Sequence, residues 1–147
     1  MIEFVKMNQD HVSQIAELEQ ICFSMPWSEN AITSELTNPL SLWLVAIDNQ
    51  KVVGYVGSQS VMGEADMMNI AVSEEYRRKG IGEALVSQLI SALSERDVFS
   101  LSLEVRATNQ SAISLYMKMG FEKVGCRPGY YKNPKEDAFI FRKEWRI

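Results

Sequence analysis

The chain has 147 residues, 46% hydrophobic and 23% charged, which is enough apolar material for one buried core and fits one domain over residues 1–147. Its net charge of -4 disfavours nucleic acid as a partner, because a phosphate backbone is held by net positive surfaces. No apolar run reaches the ~20 residues that span a bilayer, and the opening MIEFVKMNQD lacks the apolar centre of a signal peptide, so no membrane partner and a cytoplasmic location are expected.

The two cysteines, Cys22 and Cys126, lie far apart without CxxC spacing and read as reduced core thiols. His11, the only histidine, is expected at the surface. A single imidazole removes most metal sites and any Ser-His or Cys-His mechanism needing histidine elsewhere, so no metal is expected.

In chain order, Met1 to Val5 suits a short strand. Val12, Ile15, Leu18 and Cys22 then recur at helical spacing behind Asn8 or Asp10 as cap. A second helix is predicted from Ser28, with Trp27 and Ile32 at staple spacing and Pro39 as its stop. Leu42 to Ile47, Val52 to Met62 and Ala65 to Val72 read as antiparallel strands joined by hairpin turns at DNQ and at Gly63-Glu64. Ile81, Leu85, Leu89 and Leu93 mark a helix, and Val98 to Val105 alternates as a strand. These last elements form a strand, helix, strand unit whose two strands should run parallel. Asn109 caps a further helix through Met119 with Gly120 after it. Two final strands, Phe121 to Arg127 and Ala138 to Lys143, are expected around a loop PGYYKNPKE. The sum is a mixed α/β sheet of about seven strands.

The segment YRRKGIG, Tyr76 to Gly82, runs directly into the helix at Ile81. A helix N-terminus presents unpaired N–H groups and the positive end of its dipole to an anion. Gly80 and Gly82 would let a pyrophosphate approach, and Arg77, Arg78 and Lys79 could add charge-assisted hydrogen bonds. A solvated basic turn would look the same. Neither GxxxxGK[ST] nor GxGxxG is present, so neither a nucleoside triphosphate nor a dinucleotide fits.

Arg77-x-x-Gly80-x-Gly82, placed after Met68-Asn-Ile-Ala-Val72, resembles the acetyl-CoA motif of the GNAT acetyltransferases. Pro26-Trp27-Ser28-Glu29, Leu103-Glu-Val-Arg-Ala107 with Asn109, AISLYMKMGF from Ala112 to Phe121, and Tyr130-Tyr131 extend the likeness over nearly the whole chain. They are similar to the branch that acetylates the N-terminal alanine of a ribosomal protein. The resemblance implies a GNAT fold, α/β, with a mixed, mostly antiparallel seven-stranded sheet and about four helices. It implies acetyl-CoA as co-substrate and the N-terminal peptide of a ribosomal protein as acceptor.

By the same resemblance Glu104 is the base and Tyr116 the acid. The cofactor contacts it implies are the backbone at Ile70, Ala71 and Val72, the loop and helix start from Arg77, Arg78, Lys79, Gly80, Ile81, Gly82 and Glu83, and the side chains of Asn109 and Tyr116. Trp27, Tyr130 and Tyr131 are the candidates for a peptide groove. Read by spacing alone, Glu104 could be a solvated strand-end carboxylate, Tyr116 a packing aromatic and Asn109 a plain helix cap. Two departures from the pattern stand out: Arg127-Pro-Gly129 before the tyrosine pair, and the acidic Glu83 where a basic residue is frequent.

Acetyl transfer needs a neutral amine. An α-amine with pKa ~8 supplies it more readily than a lysine near ~10.4, by about 3 kcal/mol. An N-terminal acceptor therefore asks less of Glu104; lysine or a small amine is the alternative acceptor, and a non-catalytic acyl-CoA-binding module the alternative class.

Overall fold

The computed structural model describes residues 1–145; the last two positions of the expected domain lie outside the described residues. Strand β1 (Glu3–Lys6) leads through a 3-10 turn (Gln9–His11) to helix α1 (Val12–Cys22) and then to α2 (Glu29–Glu35). Strands β2 (Ser41–Asp48), β3 (Lys51–Val61) and β4 (Glu64–Val72) follow, then α3 (Ile81–Ser94), β5 (Ser100–Arg106) and α4 (Gln110–Lys118). The chain closes with β6 (Glu122–Lys132) and β7 (Lys135–Glu144).

The seven strands form one sheet in the order β1-β2-β3-β4-β5-β7-β6. Every neighbouring pair is antiparallel except β4 with β5, as the strand, helix, strand reading required. Helices cover both faces of its central strands. Leu42, Leu44 and Ala46 of β2 join the cluster under α3 and α4, while Trp43, Val45 and Ile47 join the one under α1 and α2. A strand covered on both faces has no place for polar alternation, which is why SLWLVAI reads as one unbroken apolar run after its first residue.

Local signals act close to where they were read. Asn8 caps the 3-10 turn rather than α1 itself, accepting from Asp10 N–H at 2.9 Å, while α1 starts after His11 without a side-chain cap among the described residues; Ser28 caps α2 by accepting from Ala31 N–H at 3.1 Å. The hairpins turn at Asn49-Gln50 and at Met62-Gly63, all four with positive φ, as two-residue turns matched to strand twist require. The second turn thus sits one residue before Gly63-Glu64, because Glu64 is already paired with Val61.

Three expectations are corrected. The segment PGYYKNPKE is not a loop: β6 runs to Lys132 and β7 begins at Lys135, with pairing broken between Arg127 and Tyr131 and resumed at Tyr131↔Glu136. Pro128 is tolerated because β6 is an edge strand, and Gly129 takes a φ of +63° in the irregularity. Cys126 lies exposed on that edge and Cys22 is half-buried, so neither is a core thiol. His11 is half-buried, its Nδ1 accepting the backbone N–H of Asn8 at 3.0 Å.

Trp43 pairs across the sheet with Gly57 and stacks on Tyr55 at 5.9 Å, and a Cβ built on Gly57 would overlap its indole. Gly57→Ala should therefore cost about 1–3 kcal/mol of unfolding free energy, read from urea denaturation, by forcing a fully packed ring to move.

Candidate active site

The parallel pairing of β4 with β5 covers only Glu64↔Ser100, Ala65↔Leu101 and Asp66↔Ser102. Beyond it β4 continues to Val72 beside β3, and β5 continues to Arg106 beside β7, without ladder pairs to each other. The sheet therefore splits. From Met67 onward β4 has no ladder pair with β5, so that edge could take another extended chain, although the Ile70 N–H is already met by Asn69 Oδ1. Ile70 and Val72 pack toward the α3 side and Ala71 toward the α1 side, so the strand is anchored from both layers.

At the open end of the split stands the N-terminus of α3. The first N–H groups of a helix have no intrahelical partner, and among the described residues no side chain caps them here, as at α1, whereas α2 and α4 are capped by Ser28 and Asn109. Gly80 holds φ +78°, a conformation that favours glycine. Gly82 has a different reason to be small. A Cβ there would meet only Val72 Cγ2, at 3.9 Å, so the fold itself leaves room for a side chain.

The neighbouring charges are arranged less simply than a row of cations. Arg77 donates from Nε to Val72 O at 3.1 Å and lies 3.6 Å from Cys22 Sγ, tying the loop to the end of β4. Lys79 stands 5.5 Å over the Tyr76 ring. Arg78, at φ +63°, occupies the left-handed region within the turn. Glu83 is paired with Lys118 of α4 at 3.1 Å, which offsets its repulsion of an anion bound at the helix start.

On the other wall, β5 turns Leu101, Leu103 and Val105 inward and leaves Ser102, Glu104 and Arg106 half-exposed. The Glu104 carboxylate lies 3.6 Å from Arg127 Nε of β6, and Arg127 also lies 5.5 Å from the Tyr130 ring. Tyr131 meets Tyr130 edge-on at 5.1 Å, takes the Arg106 guanidinium at 4.3 Å, and feels the charge of Glu104. Arg106 in turn donates to Pro134 O at 2.9 Å and pairs with Glu136 at 3.3 Å, clamping the hairpin tip to β5.

Tyr116 lies on α4, buried and edge-on to Phe121 at 5.5 Å. Burial, with Tyr131 nearby, pushes its phenol up to about 12. It is thus both a core aromatic and a group protonated throughout the neutral range. Asn109 accepts from Ala112 N–H at 3.2 Å as the cap of α4.

Burial also pushes Tyr131 up to about 12 and raises Tyr55, beside Glu19, well above the ordinary tyrosine range. Unfolded tyrosines ionise near ~10, so the unfolded chain loses protons there that the folded one keeps. Stability intact below pH ~10 should be lost as pH rises toward ~12. The buried pair Tyr55 and Tyr116 should together remove about 3 kcal/mol by pH ~11, and Tyr116→Phe should flatten that fall in urea titrations at stepped pH.

The structure groups Glu104, Tyr130 and Tyr131 around Arg127, with Tyr116 packed in the α3-side core yet close enough to Tyr131 to feel its charge, and gathers Ile70–Val72 with Arg77–Glu83 where β4 ends and α3 begins. Trp27 is away from the Glu104 group, with its ring edge-on to Trp43 at 5.3 Å and packed on the α1-side cluster that also holds Ala71. Sequence reading missed Arg106 and Glu136 as the hairpin clamp and Arg127 as the partner of Glu104. The one available signal was strand alternation, which puts Arg106 on the face of Glu104.

Residues 12–121 match the model of the acetyltransferase (GNAT) family. The chain is 39% identical over 125 residues to the ribosomal protein bS18-alanine N-acetyltransferase of Escherichia coli, covering 84% of each chain. The crystal structure of the Escherichia coli ribosomal-protein-S18-alanine N-acetyltransferase superposes with a TM-score of 0.91 at 34% identity, covering 100% of this chain and 96% of that one. Arabidopsis thaliana NAA60 in complex with acetyl-CoA shares the fold, with a TM-score of 0.88 at 20% identity over 98% of each chain.

Proposed function

The chain belongs to the GNAT acetyltransferase family, and from that premise we propose that it is a protein N-terminal acetyltransferase acting on the N-terminal alanine of ribosomal protein bS18. The observation that carries the finer reading is its identity, over more than four fifths of both chains, with an enzyme named for that reaction. We place a single catalytic domain over residues 1–147 and its work in the cytoplasm.

Acetyl-CoA, when bound, supplies the activated acetyl thioester. The residues present fit it: an uncapped helix start, a glycine whose missing Cβ leaves open space, and an unpaired strand edge leading inward. In this reading the N–H groups of Ile81, Gly82 and Glu83 would hold the pyrophosphate, with Gly80 setting the turn and Arg78 and Lys79 adding charge. Arg77 acts by bracing the loop on Val72. The Ile70–Val72 backbone, with its Ile70 N–H already met by Asn69 Oδ1, would pair with the pantetheine arm, and Asn109 would line it from the start of α4.

Glu104 takes the proton of the α-ammonium, directly or through one water, and leaves the amine neutral for attack. Tyr116 would offer its O–H to the thioester sulfur, steadying the charge that gathers as the C–S bond breaks, and the proton shed by the attacking nitrogen as the amide forms would leave CoA as its thiol. The raised pKa of Tyr116 keeps it protonated, and full transfer to a thiolate of ordinary acidity, ~8.5, is uphill, so the hydrogen bond is its main contribution. Tyr130 and Tyr131 form the wall against which the acceptor peptide lies, and Trp27 buttresses the opposite side.

Incubation with acetyl-CoA and peptides differing in their first residue, with mass spectrometry to locate the acetyl group, tests this reading. Alanine-first peptides should be acetylated on the α-amine in preference to other sequences. Acetylation only on lysine side chains, or only of small amines, would replace the reading.

A further inference from the structure

We propose that Glu19 is a positioning residue for the acceptor peptide, fixing the segment between α1 and α2 against strand β4 without itself touching substrate. The inference rests on the acetyltransferase reading above. Glu19 is fully buried, and among the described residues no cation stands at ion-pair distance from it. A buried carboxylate is tolerated only if its oxygens are met by hydrogen-bond donors. Its donors come from three separate parts of the chain. Trp27 N–H donates to Oε1 at 2.8 Å; Tyr55 O–H of β3 and Asn69 Nδ2 of β4, the latter at 2.6 Å, donate to Oε2.

The β4 end of this chain of bonds reaches the candidate cofactor strand. Asn69 Oδ1 accepts the N–H of Ile70 at 3.2 Å, at the place where the β3–β4 register shifts. The other end holds the short connection that carries Met25, Pro26 and Trp27. Met25 and the nearby Ile21 at the end of α1 are 67% and 76% exposed, apolar side chains that the core does not use. Ile21 lines a recess with Cys22 and the Ser73–Glu75 turn that follows β4, so a segment displaying apolar groups next to it, and moored by a buried anion to that strand, would set the spacing between acceptor and donor.

Glu35 supplies the control. It too is buried, and accepts from Ser41 Oγ at 2.8 Å, Trp43 Nε1 at 3.1 Å and Gln59 Nε2 at 2.9 Å. Those donors all belong to β2 and β3, so Glu35 braces α2 on the sheet; it takes no hydrogen bond from the Met25 segment or from β4, and touches the former only through the Trp43 ring that meets Trp27 edge-on. A role in stability alone is common to both carboxylates, whereas a role in positioning belongs to Glu19.

The test is steady-state kinetics with acetyl-CoA and an alanine-first peptide on the wild type, Glu19→Gln, Tyr55→Phe and Glu35→Gln, alongside calorimetric acetyl-CoA binding and melting curves. Glu19→Gln should raise the peptide KM about tenfold, the scale of lost hydrogen bonds to a charged group, while acetyl-CoA affinity stays within about twofold of wild type. Tyr55→Phe, which removes one donor and keeps the ring, should raise the peptide KM by a smaller factor, and decides the matter if Glu19→Gln does not fold. Glu35→Gln should lower the melting temperature and leave the peptide KM unchanged. A peptide KM in Glu19→Gln and Tyr55→Phe that moves no more than in Glu35→Gln overturns the positioning role alone. A wild type that acetylates no peptide α-amine overturns the functional reading and this inference together.

Discussion

Replacing Gly82 by valine should weaken acetyl-CoA binding about a hundredfold, the value of two charge-assisted hydrogen bonds, while leaving the melting temperature unchanged or slightly higher. The two halves of that expectation have separate causes. Within the protein a Cβ at this position meets nothing closer than Val72 Cγ2 at 3.9 Å, and glycine is a poorer helix former than alanine or valine. The fold therefore gives glycine no advantage here. What a side chain would fill is the space before the free N–H groups of α3, where an anion must come within hydrogen-bond distance. Lys79→Ala should cost far less, about threefold in Kd, because its ammonium is one exposed charge in a loop with two arginines. Calorimetric titration of the variants with acetyl-CoA measures both. The reverse order would mean that charge, rather than backbone geometry, holds the pyrophosphate.

Glu104→Gln should lower kcat about a hundredfold or more, within the range of a lost general base, with acetyl-CoA affinity retained. The glutamine keeps the shape and the reach of the side chain and removes its capacity to take a proton. It also removes the ion pair with Arg127, 3.6 Å away, so melting curves should accompany the rates. That pair is exposed on its Arg127 side, and its loss should cost little stability. Tyr116→Phe should lower kcat by about tenfold, a hydrogen bond to developing charge, and its packing against Phe121 should survive the change. Turnover unchanged in both variants would remove the two residues from the mechanism.

Much of this site was legible because its parts are local. YRRKGIG announces a helix start that glycine leaves bare, and a capping residue or a positive-φ turn likewise answers to neighbours within a few positions. The parallel arrangement of β4 and β5 also followed from a helix lying between two strands. PGYYKNPKE was misread for the same reason: proline and glycine signal a turn locally, and only the edge position of β6 explains why a strand accepts them. Glu19 and Glu35 were invisible as buried anions, since a carboxylate on a helix is ordinarily solvated and their donors lie as far as 50 residues away in sequence.

The sequence by itself determined the elements, the caps, the bare start of α3 and the family resemblance, all of which depend on short spacings and residue types. Only the tertiary structure decided that the sheet splits after Asp66 and Ser102, that Arg127 and Tyr131 close on Glu104, and that one buried carboxylate joins the Trp27 segment to β4. Such contacts rest on strand register and on desolvation between distant segments. No local pattern encodes where an unpaired edge begins or which donors will meet a charge once water is gone.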